Sequence, residues 1–548
     1  MSTALFSFDA CRAVDAHSQA RGFSEAQLMG QAALASLFRL QETGALERVR
    51  ENDGRLHILC GTGNNGGDGY ALAYHVLGWD ASWSERTRVY RTGPAKTEPA
   101  RLFAGALEEC GAVPRESGDF DAAGCGPHDL IIEALLGTGQ TSAPRGPAAE
   151  LIEQIAEIRR RADGTRLVAL DVPAGLRENE SSRFCAPGDQ TPTSRNEAPA
   201  SFPAPDEIHS YGVDKIALRL NPSLAAFSRI VILPMGFHPV ALREARSNET
   251  HRALDWPRDF DATVFRKGDQ DHKYISGHGV LVGGSPGMEG AALLAGRTFF
   301  AAGGGILHVG TTNEETRRMM TATHPTFMAR VVSAGPAFDG NPGAVLIGPG
   351  LREDDLGRLR PDLLRLLAGL KPSSLVILDA GGLDLIRDPN YPNELRARTL
   401  ITPHSGEWKR LGGPGVQGTL NGLRSALEWA RQELGCFVLL KDAVSCLLPP
   451  ESVGADPGKT YIHSNPSGSM SVAGSGDVLA GILLARFARR DEDLDGSRTV
   501  RKILESVLLH THAARDRAHP MSEDWPEMIR ARLTPETSED ARQTGADS

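Results

Sequence analysis

Short, almost wholly apolar runs alternate with longer amphipathic segments in the first part of the chain. Arg55–Cys60, Asp129–Leu135 and Arg166–Leu170 are apolar over most of their length, which is typical of strands buried on both faces of a sheet. Ala149–Arg161, between the last two runs, has the spacing of a helix with one apolar face. Strands that alternate with helices predict a parallel sheet, with functional groups at the carboxyl ends of its strands.

A second series of the same kind runs from Gly279 to about residue 520, with the apolar runs GVLVGG, ILHVG, AVLIGPG, SLVILDA and CFVLLKD. We therefore predict an α/β protein with two domains, since 548 residues exceed what one core organises. The predicted organisation is a Rossmann-like three-layer α/β/α domain at 1–240, a charged boundary at 241–270, a second α/β domain at 271–530 and a disordered tail at 531–548.

Residues 178–206 are rich in Pro, Ser, Asn and Glu. Such a segment has few apolar residues whose burial would offset the entropy lost on ordering. We therefore expect a flexible surface insertion within the first domain.

Composition and charge narrow the class of protein. The net charge of -10 argues against a nucleic-acid binder, which needs a basic face. The most apolar stretch, residues 279–310, contains the charged residues Glu289 and Arg297. A membrane-spanning helix rarely includes such residues, so we do not interpret this stretch as one. Because Asp9, Arg12 and Asp15 come early, no signal peptide is visible and we expect none. The seven cysteines are scattered and odd in number, which indicates reduced thiols. We expect a cytoplasmic protein without nucleic-acid or membrane partners.

A glycine-rich loop, CGTGNNGGDG, follows the first strand at Cys60–Gly69. Backbone N–H groups at a helix start attract anions, and glycine lets a phosphate approach closely. Asn64, Asn65 and Asp68 could bind a polar ligand and a cation. The G-x-G-x-x-G pattern within it is weak by itself, because many such loops are only turns. The next strand-like run leads to Arg91 rather than to the acid of an NAD-type ribose contact.

Two carboxylates stand out on the strands of the first half. Asp171 ends a strand and is a candidate general acid or base, although a turn or helix-capping aspartate is the alternative. Glu133 lies inside an apolar strand. A buried carboxylate needs a partner, which makes a cation plausible there.

The second half carries its own candidate chemistry. The motif GSGDVLAG at Gly474–Gly481 predicts an anion hole at a helix start, where Asp477 can reach a substrate hydroxyl. His404 and Glu407 lie in a strand-to-helix loop, although a lone histidine is usually structural. Lys441 ends a strand and either meets a nucleotide phosphate or is merely solvated.

Together these motifs resemble those of two known families. The first half looks like the NAD(P)H-hydrate epimerase family, since it contains GNNGGDG, EALLGTG and DVPAGL. The second half is similar to the ADP/ATP-dependent NAD(P)H-hydrate dehydratases, which have a ribokinase-like fold, since it contains GSPGMEGA, GPGL, TPHSGE and GSGDVLAG. The matches span roughly residues 10–515 in the order of the family.

The resemblance implies a bifunctional repair enzyme for hydrated NADH and NADPH. The epimerase interconverts the two epimers at the hydrated carbon of the nicotinamide ring. The dehydratase removes water from the S epimer at the expense of a phosphate bond of ADP, or of ATP. A potassium ion in the first half and Mg²⁺ at the phosphoryl-transfer site are implied as well. We also expect a homo-oligomer.

The resemblance assigns roles to the residues at matching positions. The substrate contacts of the first half would be Asn64, Asn65, Gly66, Gly67, Asp68, Gly137, Thr138 and Gly139. Asp171 would contact the hydrated ring, and the ligands of the potassium ion would be Asn65, Glu133 and Ala174. In the second half the substrate would meet Ala291, Gly350 and His404, and the nucleotide would meet Lys441, Ser475 and Gly476. Asp477 would be the catalytic carboxylate.

Several positions depart from the pattern of the family. Glu133 replaces an Asp and is one methylene longer, and Ala174 replaces a Ser at the same cation. Asp442 follows Lys441 where glycine is usual, and its carboxylate would oppose a nearby phosphate. We therefore expect the epimerase activity to be weak or altered.

Two other functions fit parts of the sequence. A ribokinase-like small-molecule kinase would use the same Gly-Ser-Gly-Asp arrangement to activate a hydroxyl, although the GNNGGDG half argues against it. A nucleotide-binding protein with one or both sites impaired would explain the altered motifs.

Overall fold

The protein is described from a computed structural model. The residues that it describes are 3–161, 164–189, 201–254, 259–266, 276–334, 341–451, 459–464, 470, 472–489, 495–514 and 521–534. The chain forms two compact units. The N-terminal unit comprises Thr3–Ala253 and Val416–Leu423, and the C-terminal unit takes in Leu254–Gly415 and the chain from Arg424 onward.

The N-terminal unit is built on parallel strands. Its strands are β1 (Thr3–Phe6), β2 (Leu56–Cys60), β3 (Thr87–Arg91), β4 (Arg115–Glu116), β5 (Leu130–Ala134), β6 (Arg166–Leu170), β7 (Arg183–Cys185), β8 (Ser201–Pro203), β9 (Glu207–Tyr211), β10 (Asp214–Lys215), β11 (Arg229–Leu233) and β12 (His251–Ala253). Its helices are α1 (Phe8–Gln19), α2 (Glu25–Glu42), α3 (Ala45–Glu51), α4 (Asn64–Trp79), α5 (Glu98–Glu109), α6 (Pro147–Arg161), α7 (Ile216–Leu220), α8 (Pro222–Phe227) and α9 (Pro239–Asn248).

Seven of these strands form one parallel sheet in the order β11-β9-β6-β5-β2-β3-β4. Side chains of α2, α4 and α5 cover one face, where they pack on residues such as Ile58 and Ile132. Side chains of α6 cover the other face, packing near Leu59 and Ile131. Burial on both faces explains why these strands are apolar throughout. The predicted α/β class is confirmed.

The C-terminal unit is also built of alternating strands and helices. Its strands are β13 (His278–Val282), β14 (Ile306–Thr311), β15 (Met328–Val331), β16 (Ala344–Ile347), β17 (Leu375–Leu378), β18 (Thr399–Ile401), β19 (Phe437–Leu440), β20 (Val444–Leu448) and β21 (Thr460–Ser464). The helices of this half of the chain are α10 (Glu289–Ala301), α11 (Glu314–Thr323), α12 (Glu353–Ala368), α13 (Asn393–Arg396), α14 (Ser405–Arg410), α15 (Leu420–Trp429), α16 (Ser475–Ala488), α17 (Gly496–Ala513) and α18 (Trp525–Leu533).

The strand order in this unit is β21-β20-β19-β18-β17-β16-β13-β14-β15, parallel from β15 to β19 and antiparallel beyond. Helix α16 is apolar on almost every side and lies in the core. It approaches α10 so closely that a side chain on Gly481 would collide with the carbonyl oxygen of Ala295. None of the helices in the described part of the chain is both long and apolar enough to cross a membrane.

The segment predicted as a boundary contains ordered elements of the N-terminal unit. Strand β12 pairs antiparallel with β1, and Leu242 and Ala245 of α9 pack on a small core that includes Phe6 and Val14. Residues 255–258 and 267–270 of the predicted boundary lie outside the described residues, as do residues 535–548 of the predicted tail.

The expectation of a flexible insertion does not hold at either flank of residues 178–206. Strands β7 and β8 pair with each other, and their side chains Phe184 and Phe202 are buried in the core with ring centroids 5.7 Å apart. Asp206 forms a bidentate ion pair with Arg159, with N–O distances of 2.7 and 2.9 Å. Residues 190–200, the centre of the segment, lie outside the described residues. Burial of these two phenylalanine rings thus orders both flanks, although the segment as a whole is polar in composition.

We expect Phe202→Ala to destabilise the N-terminal unit by about 3–5 kcal/mol, because a buried aromatic ring leaves a cavity when removed. The ring is 6% exposed and fills the space above Gly175. The matched control is Phe38→Ala, since Phe38 is 63% exposed and should shift the midpoint of urea unfolding very little. Equal urea midpoints for Phe202→Ala and Phe38→Ala would show that the packing of Phe202 does not stabilise the N-terminal unit.

Candidate functional sites

The GNNGGDG loop links β2 directly to α4. Its glycines permit close packing: a side chain on Gly66 would collide with the carbonyl of Gly61, and one on Gly67 would collide with Met29. Neither Gly66 nor Gly67, both predicted substrate contacts, is among the residues that line the adjacent cavity.

That cavity, of about 660 Å³, lies at the carboxyl ends of β2, β5 and β6. The strand order reverses between β2 and β5, which is where ligands bind in open α/β sheets. The cavity brings together most of the predicted residues of the first half. Those in its wall are Asn64, Asn65, Asp68, Gly137, Thr138, Gly139 and Asp171.

Asp171 is held in an unusual conformation in the cavity wall. Its φ of 61° lies in the left-handed region, which a non-glycine residue rarely adopts. Its carboxylate accepts a hydrogen bond from the ammonium of Lys215, with an N–O distance of 2.8 Å. Lys215 is only 2% exposed. Burial lowers the pKa of Lys215, but the Asp171 charge and other nearby acidic groups outweigh it and leave this pKa above its ordinary value. The pair is therefore ionic despite its burial.

Two further carboxyl groups share this cavity. The pKa of Asp68 is raised well above its ordinary value, first by burial and then by Asp171 and Asp15. The pKa of Asp15 rises to about 6, again mainly through burial. Asp171 is paired with Lys215, whereas burial and nearby charges favour a proton on Asp68. Two carboxyl groups whose surroundings differ in this way can divide the roles of base and acid.

The predicted cation ligands lie beside the cavity. The side-chain oxygen of Asn65 is buried without a hydrogen-bond partner, while its amide donates to the carbonyl of Leu136 at 2.9 Å. Both carboxylate oxygens of Glu133 accept backbone N–H bonds, from Leu135 at 2.8 Å and from Ala174 at 2.9 Å. Burial raises the pKa of Glu133 to about 7, against the lowering effect of these bonds. Ala174 contributes no side-chain oxygen.

The second site is centred on the start of α16. Gly474 precedes the helix with a φ of 90° and leads into Ser475, Gly476 and Asp477. A side chain on Gly476 would lie 3.3 Å from the ammonium nitrogen of Lys441, so this ammonium lies close to the helix start. An anion bound there would meet both backbone N–H groups and a positive charge.

Lys441 is fixed by a buried aspartate. Its ammonium donates to Asp379 at 2.6 Å, and the hydroxyl of Thr402 donates to the same oxygen at 2.6 Å. The pKa of Asp477 rises to about 7 through burial first and the Asp379 charge second, with Lys441 acting in the opposite sense. Asp477 can therefore take up and release a proton near neutral pH.

Ser475 is tied to a buried histidine. The Nε2 atom of His510 lies 2.9 Å from the carbonyl oxygen of Ser475 and 3.3 Å from its hydroxyl. Burial lowers the pKa of His510 to about 3, so the ring is neutral and donates to the carbonyl. The ring centroids of Trp525 and His510 lie 4.8 Å apart. The bond from His510 to Ser475 thus ties the start of α16, which carries Asp477, to a packed histidine.

The remaining predicted residues lie at the carboxyl ends of neighbouring strands. Gly350, with a φ of 64°, approaches Ala291 so closely that a side chain on it would lie 3.1 Å from the Ala291 methyl. His404 caps α14 by accepting the N–H of Gly406 at 3.0 Å, and its side chain is 60% exposed. The backbone of Lys441 donates to Pro403 at 2.9 Å, which joins this loop to the Lys441 strand.

Sequence reasoning missed Lys215, Asp379 and His510. A signal for Asp379 was available, because it ends an apolar strand as Asp171 does. Lys215 and His510 carry no such signal, because only the folded chain brings them to Asp171 and Ser475.

Comparison with known proteins matches each half of the chain to one family. Residues 25–187 match the family of the YjeF-related protein N-terminus, and residues 279–528 match the NAD(P)H-hydrate dehydratase family. A bifunctional NAD(P)H-hydrate repair enzyme from Methanopyrus kandleri is 28% identical over 80% of this chain and 80% of its own length. One from Hyperthermus butylicus is 25% identical over 87% of this chain and 83% of its own length.

Among solved structures, an ADP/ATP-dependent NAD(P)H-hydrate dehydratase from Bacillus subtilis, co-crystallised with ATP/Mg²⁺, is 26% identical. It covers 49% of this chain and 92% of its own, with a TM-score of 0.38. The family matches and the full-length relatives follow the same order as the motifs. Residues 25–187 therefore belong to the YjeF-related N-terminal family and residues 279–528 to the NAD(P)H-hydrate dehydratase family, and the resemblance drawn from the motifs is confirmed.

Proposed function

We propose that this protein restores hydrated NADH and NADPH to the working coenzymes. The N-terminal unit interconverts the two epimers, and the C-terminal unit removes water from the S epimer with ADP or ATP. The observation that carries this proposal is the titratable Asp477 at a helix start beside Lys441, on a chain that belongs to this family.

In the C-terminal unit, Asp477 acts as the general base. Its carboxylate takes the proton from the ring hydroxyl, and its pKa of about 7 suits proton exchange at neutral pH. The bound nucleotide transfers a phosphoryl group to this oxygen, and phosphate then leaves as the carbon–oxygen bond breaks and a ring proton is lost, which restores the ring double bond. Lys441 and the N–H groups at the start of α16 hold and neutralise phosphate oxygens. Ala291, Gly350 and His404 line the substrate side.

The donor groups of this site also suit Mg²⁺. Carboxylate oxygens are its preferred protein ligands, and Asp379 brings a buried carboxylate to this site. Asp379 already accepts hydrogen bonds from Lys441 and Thr402, which keep it oriented. Asp379 would hold the ion, which would neutralise charge on the transferred group, and Asp477 would stay available as the base.

In the N-terminal unit, Asp171 and Asp68 share the proton transfers that epimerisation requires. Asp171, held by Lys215, accepts a proton, and the protonated Asp68 returns one. Asn64, Gly137, Thr138 and Gly139 contact the substrate from the cavity wall.

The residues present fit a weakened potassium site. The unpartnered oxygen of Asn65 is a ready ligand for a hard cation, and Glu133 brings a carboxylate. Ala174 would contribute only through its main chain. Asn65 and Glu133 would therefore hold the ion with fewer oxygens than a serine at 174 would allow.

The expected partner is a small molecule, hydrated NADH or NADPH. The seven cysteines, all within the described residues, form no disulfide bond, which suits a reducing compartment, and we propose the cytoplasm. A homo-oligomer remains a prediction.

We expect Asp477→Asn to lower the dehydration rate by ~10²–10⁴-fold or more, because the base is lost. Nucleotide binding, measured by calorimetry, should persist, because Lys441 and the helix start are unchanged. The assay follows the return of reduced-nicotinamide absorbance from hydrated NADH with ADP and Mg²⁺. The control is Asp354→Asn, an exposed aspartate in the first turn of α12. Turnover near the wild-type rate would exclude Asp477 as the base, and a phosphorylated product without absorbance would indicate a kinase.

We expect the dehydration rate to rise as the pH increases through about 7, since Asp477 must be ionised and its pKa is about 7. Asp379→Asn should move this inflection to lower pH, because the Asp379 charge raises the pKa of Asp477. The measurement is the pH profile of kcat for both enzymes, with Asp354→Asn again as control. An inflection that stays in place or moves upward would contradict this electrostatic coupling.

We expect the double variant Glu133→Asp, Ala174→Ser to need roughly tenfold less potassium for half-maximal epimerisation than the wild type, because it gains an oxygen ligand. Epimer interconversion is followed during a potassium titration at ionic strength kept constant with choline chloride. Identical potassium dependence in the two proteins would show that the altered positions do not impair the site. No interconversion at any potassium level would indicate a unit kept for binding alone.

A further inference from the structure

A second cluster of metal-binding side chains lies in the N-terminal unit, at the opposite end of the sheet from the cavity. His57 is near the start of β2, Asp129 immediately precedes β5, and Cys125 lies in the loop before it. Their exposed fractions are 5%, 7% and 4%. None of the three is among the residues that line the cavity at the carboxyl ends of these strands.

The three side chains converge on a common point. The Nε2 atom of His57 lies 3.5 Å from the Oδ2 atom of Asp129 and 4.0 Å from the sulfur of Cys125, and all three atoms lie within 4.8 Å of one another. The nitrogen–oxygen distance is long for a good hydrogen bond, which measures about 2.7–3.2 Å for N–H to oxygen. Tetrahedral zinc, bound at roughly 2.0–2.3 Å, separates neighbouring ligand atoms by about 3.3–3.7 Å. The observed spacing therefore approaches that of a zinc ligand set.

The geometry does not suit a nucleophilic cysteine. A cysteine–histidine–aspartate relay uses both ring nitrogens, one toward the thiol and one toward the carboxylate. Here both contacts converge on Nε2, while the Nδ1 atom of His57 is buried without a hydrogen-bond partner. One nitrogen, one sulfur and one carboxylate oxygen that face each other form a donor set of the kind zinc accepts.

The surroundings hold the donors in place. Asp129 accepts backbone N–H bonds from Arg55 at 2.7 Å and from Gly126 at 2.9 Å. These two bonds orient the carboxylate, as the surroundings of ligands in metal sites do.

Aromatic rings pack around the histidine, and the thiol lies beneath a surface loop. The ring centroid of His57 lies 6.0 Å from that of Tyr90, nearly parallel to it, and 5.6 Å from that of Phe120, edge to face. Cys125 is buried, but its neighbours Ala123 and Gly124 are exposed, so the cluster lies close to the surface of this loop.

We propose that His57, Cys125 and Asp129 form a binding site for a zinc-type divalent cation, bound through Nε2, Sγ and Oδ2. A water molecule from the loop side completes the tetrahedron. Binding forms the metal–sulfur bond and releases the thiol proton to solvent, so affinity rises with pH. The ion fastens the loop that carries Cys125 to the starts of β2 and β5. This proposal does not depend on the proposed function.

The test is a titration of the full-length protein, freed of metal by a chelator, with Co²⁺ as the probe. We expect one equivalent of Co²⁺ to produce a sulfur-to-cobalt charge-transfer band and the visible bands of tetrahedral Co²⁺. Zn²⁺ should abolish these bands, since it binds such sites more tightly than Co²⁺. Absence of the charge-transfer band in the wild type would overturn the proposal without any variant.

The variants assign the signal to the cluster. Cys125→Ser should lose the charge-transfer band, and Asp129→Asn should weaken Co²⁺ binding roughly tenfold or more. Cys11→Ser is the matched control, because Cys11 is also buried in this unit and lies near the carboxylates of the cavity. Loss of the band in Cys11→Ser, or its persistence in Cys125→Ser, would overturn the assignment. Circular dichroism checks folding, and Asp129→Asn, nearly isosteric, serves if Cys125→Ser does not fold.

Discussion

Close backbone-to-backbone packing between loops at the carboxyl ends of parallel strands is the constraint on which both sites depend. In the N-terminal unit, a side chain on Gly61 would collide with the carbonyl of Leu135, so the loops after β2 and β5 can touch only through glycine. In the C-terminal unit, a side chain on Gly348 would collide with the carbonyl of Asp379. The glycines of the motifs therefore bring neighbouring loops together, and the polar residues between them form the sites.

The two units share an electrostatic arrangement although their sheets differ. Each site has one lysine bonded to one carboxylate, Lys215 with Asp171 and Lys441 with Asp379. Each also has a second aspartate whose pKa is raised by burial and by the first one. A carboxylate held by a lysine and a neighbouring carboxyl group with a raised pKa can divide the roles of base and acid. The lysine is what allows two carboxylates to lie together out of water.

Much of the fold followed from the sequence because its strands are short, apolar and separated by glycine turns. The motifs also indicated which strand ends carry chemistry, as with Asp171 in the cavity. The prediction of a flexible insertion was wrong at its flanks, because Phe184 and Phe202 are buried in the core although the segment around them is polar in composition. The pattern also failed for Lys215, because Lys215 lies on β10 whereas its partner Asp171 directly follows β6, and no local spacing links the two. Side-chain pairing between distant elements is set by topology, which periodicity alone does not encode.

The two departures at the predicted cation site meet at one hydrogen bond. The backbone N–H of Ala174 donates to the longer carboxylate of Glu133, a bond that a serine at 174 would also make, so the change at 174 removes only a side-chain oxygen. A pKa of about 7 means that Glu133 carries only part of its charge at neutral pH, and a proton would compete there with a cation. The oxygen of Asn65 has no hydrogen-bond partner, and an unsatisfied buried acceptor costs about 1–3 kcal/mol. A cation bound there would offset that cost, so the proposed site would keep a driving force for binding even with less charge and fewer oxygens.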